Sequence, residues 1–285
     1  MNNVVSSSTS VRNIARIAEG QAQLRADTLA VEEPLEIRLV AQGTEQTVTV
    51  TMRTPGNDAE LAVGFLIAER IIDSAAQIAN FRPCGTRDNV LKVVLAADAT
   101  PRLQSVARNF ASTASCGLCG KSSLDAVSAS IPSDRRPAQT PAIAPALLQR
   151  IPEQLRAAQS VFDATGGLHA VAAFSFTGEL LALYEDVGRH NALDKLVGAT
   201  LRSGQADLGH CIVALSGRAG FEMIQKAAVA RVPMVVAIGA PSSLAVELAQ
   251  RMGITLIGFL RQSSFNVYTH PERVALGWSS IPELS

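Results

Sequence analysis

Cys211-Ile212-Val213-Ala214-Leu215, Pro233-Met234-Val235-Val236-Ala237-Ile238 and Ile254-Thr255-Leu256-Ile257-Gly258-Phe259-Leu260 are three short, near-continuous apolar runs. Helical patterns separate them, over Phe221 to Ala230 and over Leu244 to Met252, with Gly253 placed to close the second. A strand that is apolar on both faces has to be covered on both. Such strands alternating with helices predict a mainly parallel sheet in an α/β domain. Open sheets of this kind bind ligands beyond the carboxyl ends of their strands. Here those ends are Ser216-Gly217-Arg218, Gly239-Ala240-Pro241-Ser242-Ser243 and Phe259-Leu260-Arg261-Gln262-Ser263-Ser264. They set hydroxyl or guanidinium groups beside small residues, and two run into helix N-termini, whose free N–H groups favour anions. Singly, each loop reads as a helix cap. Together, with Arg218 and Arg261, they predict one rim that holds a phosphorylated ligand.

Working outward, Leu168 to Phe176 and Leu180 to Tyr184 are apolar runs split by Thr177-Gly178-Glu179, a hairpin signal. Glu185-Asp186-Val187-Gly188-Arg189-His190-Asn191 then packs acid, base and amide groups before a helix that runs to about Arg202. Two readings fit it. One is a second binding loop, with Arg189 on phosphate and His190 as proton carrier or hydrogen-bond donor. The other is a helix start with Asn191 as N-cap and Asp186–Arg189 as a structural ion pair. Thr165-Gly166-Gly167-Leu168-His169 divides in the same way between a close ligand approach and a half-buried histidine.

Further upstream, Pro145 opens a helix through about Ser160, and the Pro-rich stretch from Ile131 to Pro145 reads as a surface connection and a boundary. In the first half, Leu35 to Leu39 and Thr47 to Met52 alternate as a hairpin around Ala41-Gln42-Gly43-Thr44-Glu45. Asn57 or Asp58 can cap a helix to about Ile72, and Asn89 to Ala96 is a further strand. The expected organisation is a mobile tail over 1–30, a small α+β subdomain over 31–110, a connection over 111–145 and an α/β domain over 146–280.

That connection carries Cys116-Gly117-Leu118-Cys119-Gly120-Lys121. The spacing lets two sulfurs meet at a tight turn or a first helical turn, where N–H groups and Lys121 favour the thiolate. A half zinc site, a redox disulfide and chance cysteines fit the same spacing. A structural zinc would need two more ligands. Cys84 and Cys211 stand alone and the histidines at 169, 190, 210 and 270 are scattered, so no structural metal is expected.

Composition excludes several classes. Of 285 residues 47% are hydrophobic and 18% charged, and the formal net charge is zero, so broad electrostatic binding to nucleic acid or to an anionic membrane is not expected. Four cysteines, two of them isolated, do not make a disulfide scaffold and fit the reducing cytosol. Residues 1–10 have no basic segment followed by an apolar run, so no signal peptide is expected, and no apolar stretch is long enough to span a membrane.

Several of these stretches, in order, resemble the formate dehydrogenase accessory sulfurtransferase family, FdhD. They are Glu32-Glu33-Pro34-Leu35, Met52-Arg53-Thr54-Pro55-Gly56, the Cys116–Cys119 motif, Thr165 to His169 and Glu185 to Lys195, followed by Ser216-Gly217-Arg218, Ala240 to Leu248 and Phe265 to Arg273. The resemblance runs from about residue 31 to 275. It implies a carrier that takes sulfur from a cysteine desulfurase and delivers it to the cofactor of formate dehydrogenase. That cofactor is a molybdenum bis-molybdopterin guanine dinucleotide, or its tungsten counterpart, bound as substrate. It also implies a three-layer, cytidine-deaminase-like C-terminal domain, a homodimer, a persulfide on Cys116 with Cys119 beside it, and cofactor contacts from Phe259 to Ser264. Two rivals follow. A zinc deaminase would need H-x-E and P-C-x-x-C, but Ala170 and Val171 follow His169 and Ser115 precedes Cys116. A non-catalytic chaperone that only holds the cofactor would present the same rim.

Overall fold

The computed structural model describes residues 8–84, 87–103, 140–204 and 207–275. In chain order the elements are β1 (Thr9–Ala18), β2 (Gln21–Ala30), β3 (Glu33–Ala41), β4 (Thr44–Arg53), α1 (Asp58–Ala68), β5 (Ile78–Cys84) and β6 (Arg87–Leu95). There follow α2 (Pro145–Ala158), α3 (Ser160–Thr165), β7 (His169–Ser175), β8 (Leu180–Asp186), α4 (Arg189–Ser203) and β9 (Cys211–Leu215). The last are α5 (Phe221–Val229), β10 (Met234–Ala237), α6 (Ser243–Met252), β11 (Thr255–Gly258) and β12 (Asn266–Val267).

The three apolar runs form the middle of a six-stranded sheet ordered β12-β11-β10-β9-β7-β8. β9, β10 and β11 run parallel, as their two-sided apolar character requires. β7, β8 and β12 join antiparallel, so the sheet is mixed: parallel in the middle and antiparallel at its flanks. Alternation assigns the faces. Val171, Ala173, Val213, Leu215, Val235, Ala237 and Leu256 point to the layer of α4, α5 and α6. Ala170, Ala172, Phe174, Ile212, Ala214, Met234 and Val236 meet Leu148, Ile151 and Leu155 of α2 on the other face.

The smaller unit is a four-stranded sheet ordered β4-β3-β6-β5 with α1 packed on it. Helix α1 (DAELAVGFLIA) has no polar stripe, because it lies between this sheet and α4. Leu61 and Leu66 are at most 1% exposed, and burial of this kind is worth roughly 2 kcal/mol for each side chain. One core therefore runs from Leu35 and Ile37 through α1 to Leu256, and the small unit and the large domain share it. The two helices cross at glycines. A Cβ on Gly64 would lie 2.0 Å from the Asp194 carbonyl oxygen, and one on Gly198 would lie 1.8 Å from that of Glu60.

The expected tail over 1–30 contains regular structure. Residues 9–30 form a two-stranded ribbon, with Thr9 paired to Ala30 and Ala18 to Gln21. The turn is Glu19-Gly20, both at positive φ (52° and 76°), the two-residue geometry that matches strand twist. β2 alternates through Ala22, Leu24 and Ala26, but β1 sets Val11, Ile14 and Ile17 three residues apart, so the stretch reads as a tail. Val11, Ile17 and Leu24 remain more than 60% exposed. The connection over 111–145 lies outside the described residues up to residue 139. Among the described residues, no helix is long and apolar enough to cross a membrane.

Candidate functional site

One end of the six-stranded sheet gathers the ends of β8, β9, β10 and β11 with the start of β7, through the pairs His169–Asp186, Val171–Leu215 and Leu215–Ala237. Backbone hydrogen bonds tie the loops together: Gly239 N–H to Gly217 O (2.9 Å), Ala219 N–H to Ala240 O (3.1 Å) and Phe259 N–H to Gly239 O (3.1 Å). This close approach needs Gly239, since a Cβ there would sit 2.9 Å from the backbone at 217–218. The three loops thus share one rim. Ser242 is an ordinary N-cap of α6, its Oγ accepting from Ala245 N–H at 3.3 Å.

The residues from 259 to 264 divide by environment. Phe259 is 44% exposed, at φ 52°, whereas Leu260 is fully buried and can offer a ligand only main-chain atoms. Arg261 Nη1 donates to the carbonyls of Ile238 (2.7 Å) and Leu260 (2.8 Å), clamping two loops together. Its Nε and Nη2 have no hydrogen bond among the described residues and remain free to donate. Gln262 reaches Glu153 on α2 at 3.3 Å, and Ser263 and Ser264 are exposed.

The 185–195 stretch is both scaffold and rim. Glu185 accepts from the N–H groups of Val161 and Phe162 (2.9 and 2.8 Å) and so fixes the start of α3. Fully buried Asp186 pairs with Lys195 at 2.7 Å and accepts from Gly188 and Thr54 N–H; Lys195 also donates to the Thr54 carbonyl at 2.9 Å. This corrects the expected Asp186–Arg189 pair. The N-cap is Gly188 rather than Asn191, which instead donates to the Met52 carbonyl at 2.7 Å. The charged residues of the stretch therefore lock the 52–54 loop of the small unit onto the large domain.

Arg189 and His190 face the rim's other groups. Arg189 Nε is buried with no hydrogen-bond partner among the described residues, and Arg218 is exposed. Burial first, then Arg189 and Arg218, pull His169 below its usual pKa. His190 is pushed down to about 4 by burial, then by Arg189, Lys226 and His169. Its Nε2 lies 3.1 Å from Glu222, a distance that suits an ion pair. Burial and three basic neighbours nevertheless keep the ring neutral, so the contact is a neutral N–H donating to a carboxylate. Behind it, Lys226 reaches both oxygens of Asp194 at 2.8 Å. Burial lifts Asp194; it also pulls Lys226 down, but Asp194, Glu69 and Glu222 outweigh that and raise it, so the pair stays ionic at neutral pH.

Beside His169 opens a cavity of about 540 Å³, between α2, α3 and the rim. Gln159, Phe162, Gly166, Gly167, His169, Ser216 and Ile238 line it. The Gly-Gly-Leu-His stretch borders this cavity. Gln159 and Phe162 carry no sequence signal, because their placement depends on Glu185, more than 20 residues away. Cys116 and Cys119 lie outside the described residues. Among the described residues no group of His, Cys, Asp or Glu is placed to hold a metal ion.

Residues 30–275 match the model of the FdhD/NarQ family. The chain belongs to this family. The chain is 48% identical to the sulfur carrier protein FdhD of Mycolicibacterium paratuberculosis over 93% of its own length and 98% of that protein. It is 41% identical to the protein of the same name from Sulfolobus acidocaldarius, over 92% and 97%. A crystal structure from Desulfotalea psychrophila, assigned as a formate dehydrogenase accessory protein, shares the fold at TM-score 0.72 and 23% identity, over 94% of this chain and all of that one. The FdhD/NarQ fold is thus the mixed α/β architecture described above, and the rim and the shared core lie within the matched residues.

Proposed function

We propose that this chain is a sulfur carrier, which takes persulfide sulfur from a cysteine desulfurase and delivers it to the guanine-dinucleotide molybdenum cofactor of formate dehydrogenase. The observation that carries the proposal is the near full-length identity to relatives named sulfur carrier proteins, in a chain that holds the C-x-x-C at 116–119. The chemistry needs no outside oxidant. Cys116 thiolate attacks the terminal sulfur of the donor's persulfide; the donor's S–S bond breaks, and its cysteine leaves as a thiolate. At delivery, Cys119 thiolate attacks Cys116 Sγ, which forms a disulfide and releases the outer sulfur as hydrosulfide. The two electrons for that reduction come from the two cysteines. A cellular thiol then restores them, which places the cycle in the reducing cytosol.

The rim suits the cargo. Arg261, Arg218 and Arg189 offer guanidinium nitrogens without partners among the described residues, and α4 presents its N-terminus without a side-chain cap. Phosphate oxygens match both kinds of donor. A homodimer belongs to the same proposal. The second reading, a holder that binds the cofactor without moving sulfur, shares this rim and differs only at the cysteines. Maturation of formate dehydrogenase by Cys116→Ala separates the two. The carrier reading expects activity to be abolished while cofactor binding survives, and full maturation would favour the holder. Cys119→Ala is expected to impair transfer less than Cys116→Ala.

A further inference from the structure

We infer that the β1–β2 ribbon is a docking arm that lies in an apolar groove with acidic walls on formate dehydrogenase, the protein that receives cargo from the rim. This rests on the proposed function and adds the contact by which the receiver is held. The ribbon has two unlike faces. Residues directly opposite each other in an antiparallel pair project to the same side. Val11, Ala15 and Ile17 of β1 therefore share a face with Ala22, Leu24 and Ala26 of β2. That face is apolar except for Asn13 and Thr28, and it is bare: Val11 is 64%, Ile17 66% and Leu24 86% exposed. Every residue from 15 to 26 is exposed, so no described part of the chain covers it. The opposite face sets Arg12 and Arg16 beside Gln21, Gln23 and Arg25, with Ile14 half-buried among them. Arg25 meets Asp27 at 3.6 Å, whereas Arg12 and Arg16 have no ion pair among the described residues.

Area and position choose the occupant. A lone two-stranded ribbon is marginal in water, and an apolar face left in solvent favours a cover. Ten residues a strand, with two strands side by side, make one face about 33 Å by 10 Å, so contact through it buries on the order of 300 Å² on each partner. A stable interface needs about 800 Å² on each side, so two copies meeting ribbon to ribbon fall short of one. A groove that takes both faces roughly doubles the contact and reaches the range of transient complexes, which suits a hand-over. The groove's chemistry follows from the faces: an apolar floor for Val11, Ile17 and Leu24, and carboxylates for Arg12 and Arg16. The root of the ribbon packs on α3, and a Cβ on Gly167 would lie 3.6 Å from that of Ala30. Two residues further on, His169 opens β7 at the rim. A protein that draws cargo from the rim lies over it, and there it meets the ribbon.

The test is surface plasmon resonance of the full-length protein over immobilised, purified formate dehydrogenase that lacks its cofactor. Wild type is expected to bind, more weakly as salt is raised. Ile17→Ser combined with Leu24→Ser is expected to bind at least tenfold more weakly. Arg12→Ser combined with Arg16→Ser is expected to bind more weakly and to lose most of the salt dependence, and it tests the arm from its other face if the first variant disturbs the ribbon. Leu181→Ser, an exposed apolar site on β8, is expected to bind as wild type does. No binding by wild type, or wild-type affinity in both ribbon variants, overturns the arm. Sedimentation and flotation with anionic vesicles are run on the same variants. Loss of self-association or of vesicle binding, with affinity for formate dehydrogenase unchanged, gives the apolar face to a second copy or to lipid and overturns the arm as well. Sulfur loading is read separately by mass. Loading without ribbon-dependent binding keeps the carrier and removes the arm, and ribbon-dependent binding without loading does the reverse.

Discussion

Asp186 has no contact with solvent, and every bond it makes holds something in place. Its partner Lys195 is 2% exposed, so truncating the acid strands a buried ammonium. Breaking a buried pair in this way typically costs about 3–5 kcal/mol. Asp186→Ala is therefore expected to lower unfolding free energy in urea by that order, and a loss under about 1 kcal/mol would show that water replaces the carboxylate. His190 gives a pH dependence. Its folded pKa, about 4, lies below the unfolded value near 6.5, so the unfolded chain binds more protons between the two. Its contribution is complete above pH 6.5 and is lost as pH falls toward 4. Asp194, raised by burial, works in the opposite direction. The difference between wild type and His190→Gln isolates the histidine: wild type should lose more stability from pH 7 to 4.5, and parallel curves would contradict the neutral ring. Residue pairings were the least legible part of the sequence. Arg189 is the nearest base to Asp186 in sequence, but Lys195 reaches it because α4 starts at Arg189, capped by Gly188, and turns the Lys195 side chain back into the core.

At the scale of elements, the α1–α4 crossing carries the joint between the two units. Gly64 and Gly198 each face a carbonyl oxygen of the opposite helix at a distance that no Cβ tolerates. Gly64→Ala or Gly198→Ala must push the helices apart, at a cost of about 3 kcal/mol or more. Urea denaturation checks it, and a variant as stable as wild type would mean that the helices slide without loss. Neither glycine stands out in the sequence, where it reads only as a weak point in a helix. The strands between 211 and 260 were legible because burial on both faces writes a continuous apolar run. β5 was not, since Asn80, Arg82 and Pro83 interrupt any pattern and, among the described residues, it pairs with β6 alone. The β1–β2 turn was hidden for a related reason: Glu19 takes positive φ without being one of the residues that announce it. Gln42-Gly43 has the same geometry between β3 and β4, but there stronger alternation revealed the hairpin.

For the whole molecule, a single core joins the small sheet to the large domain, and the 185–195 stretch fastens the same joint beside the rim. That the three loops share one rim was legible, because the position of the loops follows from strand direction once the parallel strands are recognised. The cavity at Gln159 was not, because it depends on how α3 docks. The proposed sulfur chemistry rests on Cys116, and intact-protein mass after incubation with a cysteine desulfurase and cysteine tests it most directly. Wild type should gain one sulfur atom that a reductant removes, and Cys116→Ala should gain none. Loading of the alanine variant to the wild-type level, or no loading of wild type, would contradict the assignment of the carrier to Cys116.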